Sequence, residues 1–212
     1  MILKILSPEQ LRQLYETELK RAFPPQELKP LQAMEALRAR GRYDPLGLYD
    51  KDQLLGYALM WRCPGVPFAL LDYLGTVEAR RNGGLGSITL SLLREYYRDF
   101  RGIFGESEGA FSSDPEEKAM QQRRLGFYQR NGFRYGGYDC ALFGVHYHTL
   151  LLGEEDVTAQ ELLQAHQTIY HENLSDEVYR RFIQIPLPEG EQPRPAQAWV
   201  EEGVFDDEHS GH

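Results

Sequence analysis

Apolar positions along the chain switch between a period near two and a period near 3.6, and the switches divide it into elements. Residues 1–6 read as a short strand. Ser7-Pro8-Glu9-Gln10 then opens a helix, with Ser7 as N-cap, Pro8 at the first helical position and Gln10 completing a capping box. Leu11, Leu14, Tyr15 and Leu19 fall on one helical face, and Phe23-Pro24-Pro25 stops the run. A second helix is expected from about Gln26 to Arg40, with Leu28, Leu31, Met34 and Leu37 at spacing three and Gly41 as its C-cap.

Two strand-like stretches follow, Pro45 to Tyr49 and Leu54 to Trp61, with residues 50–53 as a hairpin turn. The turn Cys63-Pro64-Gly65-Val66-Pro67 leads into Phe68 to Val77, nearly all apolar, as a central strand buried on both faces requires. From Ser87 the period becomes helical, with Ile88, Leu92, Leu93, Tyr96 and Phe100 as the predicted buried stripe and Gly102 as the stop. Ile103 to Glu108 is a further strand. Ser113-Asp114-Pro115-Glu116 starts a helix carrying Met120, Leu125, Phe127 and Tyr128, stopped at Asn131-Gly132, and Phe133 to Cys140 and Val145 to Leu152 are late strands. The order β-α-α-β-β-β-α-β-α-β-β is neither a βαβα series nor a repeat.

Beyond Gly153 the pattern changes. Thr158 to Tyr170 reads as a helix, Ser175-Asp176-Glu177 caps a shorter one, and prolines 186, 188, 193 and 195 deny regular structure after Ile185. Residues 200–212 are acidic, with Trp199 and Phe205 as anchoring points. The apolar stripe Leu162, Leu163 and Ile169 is expected to pack on its own domain, and a homodimer contact is left open. The division read here is a body of residues 1–152 and a helical extension of residues 153–212.

A length of 212 residues with 42% hydrophobic residues suits a chain that buries a real core. A net charge of -9 argues against a nucleic-acid partner, which asks for a basic face, and agrees with a cationic or amine-bearing one. The two cysteines, Cys63 and Cys140, belong to no metal-ligand pattern, and two scattered thiols point to a reducing compartment. The N-terminal apolar stretch is too short for a signal-peptide core, and no window approaches a membrane span. A cytoplasmic protein without a membrane partner is expected.

The chemistry is carried by the turn Arg81-Asn82-Gly83-Gly84-Leu85-Gly86 between the central strand and the next helix. A helix N-terminus offers unpaired N–H groups and partial positive charge, and glycines remove the Cβ atoms that would hold a phosphate away. No Gly-Lys-Ser/Thr triplet occurs, and the third position of a dinucleotide turn is Thr89, so neither nucleotide fingerprint fits. The stretch Thr76 through Ser87, T-V-E-A-R-R-N-G-G-L-G-S, resembles motif A of the GNAT superfamily of acetyltransferases, with Arg81, Gly84 and Gly86 at its defining positions. R-L-G-F-Y-Q-R-N-G-F at 124–133 resembles the family's motif B, and the two come in the family's order.

The resemblance covers roughly residues 1–150 and implies an α/β (α+β) fold, with a mixed, mostly antiparallel twisted sheet flanked by helices. It implies acetyl-CoA as co-substrate, with the amides of Asn82, Gly83, Gly84, Leu85, Gly86 and Ser87 on the pyrophosphate. Main-chain groups of Leu74 and Thr76 would pair with the pantetheine arm and polarise the thioester carbonyl. Thr76 departs from the family's usual aliphatic residue, which matters little for a backbone contact. Tyr128 aligns with the family's general acid, a phenol of pKa about 10 suited to protonating a thiolate of about 8.5. For the base, Glu106 and Glu108 alternate onto one face of their strand, where adjacent carboxylates raise one another's pKa, and Glu106 is read as the deeper. His146 and His148 have no third ligand at suitable spacing, so no metal is expected. Phe143, Tyr135, Tyr138 and Tyr147 read as core or as walls of the acceptor pocket. The acceptor is a small-molecule amine or a peptide; a CoA-binding module without turnover and a protein-lysine acetyltransferase are the competing readings.

Overall fold

The predicted strands form and pair into one sheet. The computed structural model describes residues 1–25, 27–77 and 83–194. Chain order begins with β1 (Ile2–Ile5), α1 (Pro8–Leu14), a π-helical turn (Tyr15–Leu19), α2 (Lys20–Ala22), α3 (Leu31–Ala39), β2 (Tyr43–Asp50) and β3 (Gln53–Arg62). Then come β4 (Phe68–Thr76), α4 (Leu85–Tyr96), β5 (Gly102–Glu108), α5 (Pro115–Arg130), β6 (Arg134–Leu142) and β7 (Val145–Gly153), and finally α6 (Ala159–His171), α7 (Asp176–Phe182) and β8 (Ile183–Gln184). The sheet runs β1-β2-β3-β4-β5-β7-β6-β8, and every neighbouring pair is antiparallel except β4 with β5.

Each face has its own core. Leu59, Trp61, Leu70, Phe104 and Leu151 point to the side covered by α1–α3 and α6–α7. Ala58, Met60, Ala69, Leu71 and Ile103 point to the side covered by α4 and α5. The segment after Gly153 enters the first core directly: Leu162, Ile169, Tyr170 and Phe182 pack in the same cluster as Trp61 and Phe104, and β8 pairs with β6. The Leu162–Ile169 stripe is thus covered by its own sheet. Among the described residues no helix is long and apolar enough to cross a membrane.

Several boundaries differ from the sequence reading, each for a local reason. The second helix begins at Leu31 rather than Gln26, because Pro30 takes φ -55°, ψ 141° and disfavours helical geometry at the residue before it. The first helix widens into the π-helical turn before ending at Ala22. α4 closes at Tyr96 rather than at the Gly102 stop, and its buried stripe is Leu85, Thr89, Leu90 and Leu93; Tyr96 is exposed. The frame shifts by one residue because Thr89 satisfies its hydroxyl on the Leu85 carbonyl (2.8 Å), so a polar residue sits comfortably inside. Tyr135 is exposed rather than core or pocket wall, its hydroxyl donating to Asp139.

Candidate active site

The site is built where β4 and β5 part. Their parallel pairing runs only from Phe68–Gly102 to Leu71–Gly105. Beyond it β4 continues to Thr76 bonded to β3, and β5 to Glu108 bonded to β7. The departure coincides with a bulge: Leu59 faces Tyr73 and Met60 faces Leu71, so Asp72 is the extra residue of β4. The Asp72 carboxylate is fixed there by the fully buried Lys29 Nζ (2.7 Å) and by the Tyr43 hydroxyl (2.6 Å). Burial raises its pKa, with Lys29 and Tyr43 pulling the other way.

Past the bulge, the Val77 amide donates to the Leu55 carbonyl on β3 (3.0 Å). Strand alternation then turns the main chain of Gly75 toward β3 and that of Leu74 and Thr76 toward the gap. Gly75 admits nothing larger, because a Cβ there would fall within 2.3 Å of the Tyr57 ring. A cavity of about 350 Å³ adjoins this end of β4, lined in part by Gln10, Thr17, Tyr49 and Val77.

At the head of the gap stands the N-terminus of α4. Gly84, its N-cap, adopts φ 70°, ψ 9° and provides no side-chain cap. The first intrahelical bond is Ile88 N–H to the Gly84 carbonyl, which leaves the amides of Leu85, Gly86 and Ser87 without helical acceptors. Among the described residues a Cβ on Gly84 would meet nothing within 4 Å, so they leave the mouth open, whereas one on Gly86 would lie 3.0 Å from the Phe127 ring. Gly83 and Ser87 are exposed. Arg81 and Asn82 lie outside the described residues, as do Trp199, Phe205 and the acidic tail.

Phe127 links this turn to α5, and Tyr128 follows it. The Tyr128 ring packs edge-on to Phe127 and Phe133 at 5.3 and 5.2 Å. Burial raises its phenol pKa, partly countered by Arg124, and no described residue hydrogen-bonds its hydroxyl.

The two carboxylates of β5 take separate partners. Glu108 accepts from Gln121 Nε2 (3.0 Å) and Arg124 (3.3 Å), both on α5. Glu106 is the deeper, its side chain 10% exposed against 21% for Glu108. Its Oε1 is bonded by His166 Nε2 (2.8 Å) and the Tyr170 hydroxyl (3.0 Å), both on α6. His166 Nδ1 in turn meets the Tyr138 hydroxyl at 3.0 Å. His166 and Tyr170 are absent from the sequence-derived site. A signal existed: His166 lies four residues from both Leu162 and Tyr170, on the stripe predicted to be buried, where a polar ring needs a partner.

His146 and His148 do gain a third group, Asp139, which accepts from His146 Nε2 and His148 Nδ1 at 2.8 Å each. Burial pushes Asp139 up, but the bonds from His148, His146 and Tyr135 outweigh it and hold the carboxyl below its ordinary range. Among the described residues, the His, Cys and acidic ligand atoms close enough to share a metal are those of Glu106, Cys140 and His166, within 4.8 Å of one another. At 2.8 Å, His166 Nε2 and Glu106 Oε1 are a hydrogen-bond length apart; tetrahedral zinc with bonds of about 2.0–2.1 Å would want them roughly 3.4 Å apart. Burial, with Glu106 adding to it, raises the Cys140 thiol well above its usual pKa, which keeps it a poor ligand.

No family model and no curated protein matches the sequence. Solved structures do. A protein assigned to the GNAT family of acetyltransferases from Bacteroides thetaiotaomicron superposes with a TM-score of 0.65 at 23% identity, covering 82% of this chain and 98% of its own. An aminoglycoside 6'-N-acetyltransferase complexed with coenzyme A gives 0.55 at 16% identity, over 72% of this chain and 97% of its own. A ribosomal-protein-alanine N-acetyltransferase of Brucella melitensis gives 0.52 at 15%, over 73% of this chain and all of its own. A sheet forked at its one parallel pair, a glycine-built helix mouth at the fork and these superpositions agree: the fold is that of the GNAT superfamily.

Proposed function

We propose that the chain transfers an acetyl group from acetyl-CoA to a primary amine of a small molecule or peptide, directly within a ternary complex. The observation that carries this reading is the fork between β4 and β5, with the uncapped N-terminus of α4 at its head. The residues present fit the co-substrate: the amides of Leu85, Gly86 and Ser87 lack helical acceptors, no described atom lies within 4 Å of a Cβ built on Gly84, and the helix dipole favours a diphosphate there, with Gly83 and Gly84 adding their amides in the proposal. Arg81 and Asn82 complete this cradle in the proposal. Acetyl-CoA, when bound, supplies an activated thioester.

The rest falls to the chain's own groups. Leu74 and Thr76 offer main-chain donors and acceptors along the open edge of β4, so an extended arm can add to the sheet as a strand would. Tyr128, protonated throughout the neutral range because burial raises its pKa, holds the proton that a leaving thiolate needs. Glu106 takes a proton from the incoming ammonium, and Glu108, engaged by Gln121 and Arg124, adds negative charge near the acceptor. The division at residues 152 and 153 is part of the proposal, the extension serving to finish the acceptor side. Relatives in fold act on an aminoglycoside and on the alanine of a ribosomal protein, so both small amines and peptides belong in the assay.

The test is free-thiol release from acetyl-CoA across a panel of amines and peptides. Release with at least one acceptor, and a rise in Tm with CoA but not with ATP or NAD, are expected. A protein that CoA does not stabilise would defeat the reading; CoA binding with no acceptor turned over would favour a sensing module.

A further inference from the structure

We propose that His166 of α6 is a positioning residue for Glu106, fixing one carboxylate oxygen so that the other is the single basic atom facing the acceptor. This rests on the acetyltransferase reading above. The two oxygens of Glu106 are unequal. Oε1 accepts from both His166 Nε2 and the Tyr170 hydroxyl. No donor among the described residues is bonded to Oε2, although the side chain keeps a tenth of its surface accessible. An ionised carboxylate can only accept, so Nε2 carries the hydrogen and Nδ1 of a neutral ring must accept. The group at Nδ1 is the Tyr138 hydroxyl, whose pKa is raised first by burial and then by Cys140, so it keeps its proton and can donate.

The chain of bonds therefore has one direction: Tyr138 O–H to Nδ1, and Nε2–H to Oε1. His166 is fully buried, with its ring edge-on to Phe104 at 5.0 Å, so the tautomer is held by contacts and not by water. The ionisable groups around Glu106 are Asp72 on β4, Tyr138 and Cys140 on β6, Tyr147 on β7, and His166 and Tyr170 on α6. Of these, His166 and Tyr170 bond the carboxylate, and the Tyr138 hydroxyl at Nδ1 complements the donor that the carboxylate requires at Nε2 of His166. The arrangement makes the segment after Gly153 part of the acid–base machinery.

Three variants and two readouts decide it. A long-range proton–nitrogen spectrum of the imidazoles should report His166 as the neutral Nε2–H form in the wild type and in Tyr138→Phe alike, because the Glu106 carboxylate alone requires a donor at Nε2. In turnover, His166→Phe should lower kcat by about tenfold or more and move the acid limb of the kcat/KM profile upward, since a carboxylate losing a donor is harder to ionise. KM for acetyl-CoA should not change. His166→Gln, which keeps an N–H within reach of Oε1, should restore most of both. An Nδ1–H ring or an imidazolium in the wild type would overturn the proposal, as would an unshifted acid limb in His166→Phe. Failure of the acetyltransferase reading shows separately, as a wild-type protein that releases no thiol while the spectrum still reports the tautomer.

Discussion

The two sides of the fork are made of different material. On the side proposed for the cofactor the groups are main chain: the end of β4, an uncapped helix mouth and glycines whose missing Cβ atoms leave space. On the side proposed for the acceptor they are side chains, anchored by partners from distant elements. The first kind of site tolerates almost any side chain that keeps the backbone path, because the donors belong to the peptide. The second depends on each of its members, because removing one leaves a buried group unpaired.

Substitutions should therefore separate the two sides. The largest effect is expected from Glu106→Gln, which keeps the shape but removes the base: kcat should fall by about 10²- to 10³-fold, with CoA binding by calorimetry unchanged. Tyr128→Phe comes next, about 10²-fold in kcat, with CoA affinity again nearly intact. Loss of CoA binding in either variant would erase the distinction drawn here. On the other side, Gly84→Ala must hold an alanine at φ 70° and put a methyl group into the mouth of α4. It should cost about 1 kcal/mol of stability and weaken CoA roughly tenfold, with kcat at saturation little changed.

The smallest effect concerns the side-chain cluster of Asp139, His146 and His148 on β6 and β7. Asp139 in the folded protein lies below its ordinary value of 3.8, so its contribution to stability is present above that value and is lost as pH falls through the folded-state pKa. Denaturant titrations should show a shallower acid decline for Asp139→Asn than for the wild type, while acetyl transfer at neutral pH persists.

The same contrast governs what could be read from the chain. The proposed cradle is local: strand, glycines and helix follow one another within a dozen residues, although the Phe127 ring that crowds Gly86 comes from α5. The strands followed from alternation, and the mixed, mostly antiparallel sheet from the resemblance to GNAT proteins. The Glu106 network was not legible as a network, because its bonds join positions 60 and 64 residues apart, and Tyr138 and His166 are 28 apart. Glu106 was found as a strand carboxylate; its partners were visible only as a polar ring on an apolar stripe. Helix readings went astray where a single residue decided: the start of α3 at Pro30 and the buried face of α4 at Thr89.

The bulge at Asp72 carries a consequence for ligand entry. Because Lys29 and Tyr43 clamp that extra residue as the chain folds, the strands are already parted before any ligand arrives. The ordering entropy of the slot is spent in reaching the native state, so the pantetheine chain of the proposal would meet a rigid edge and bear chiefly the cost of its own straightening.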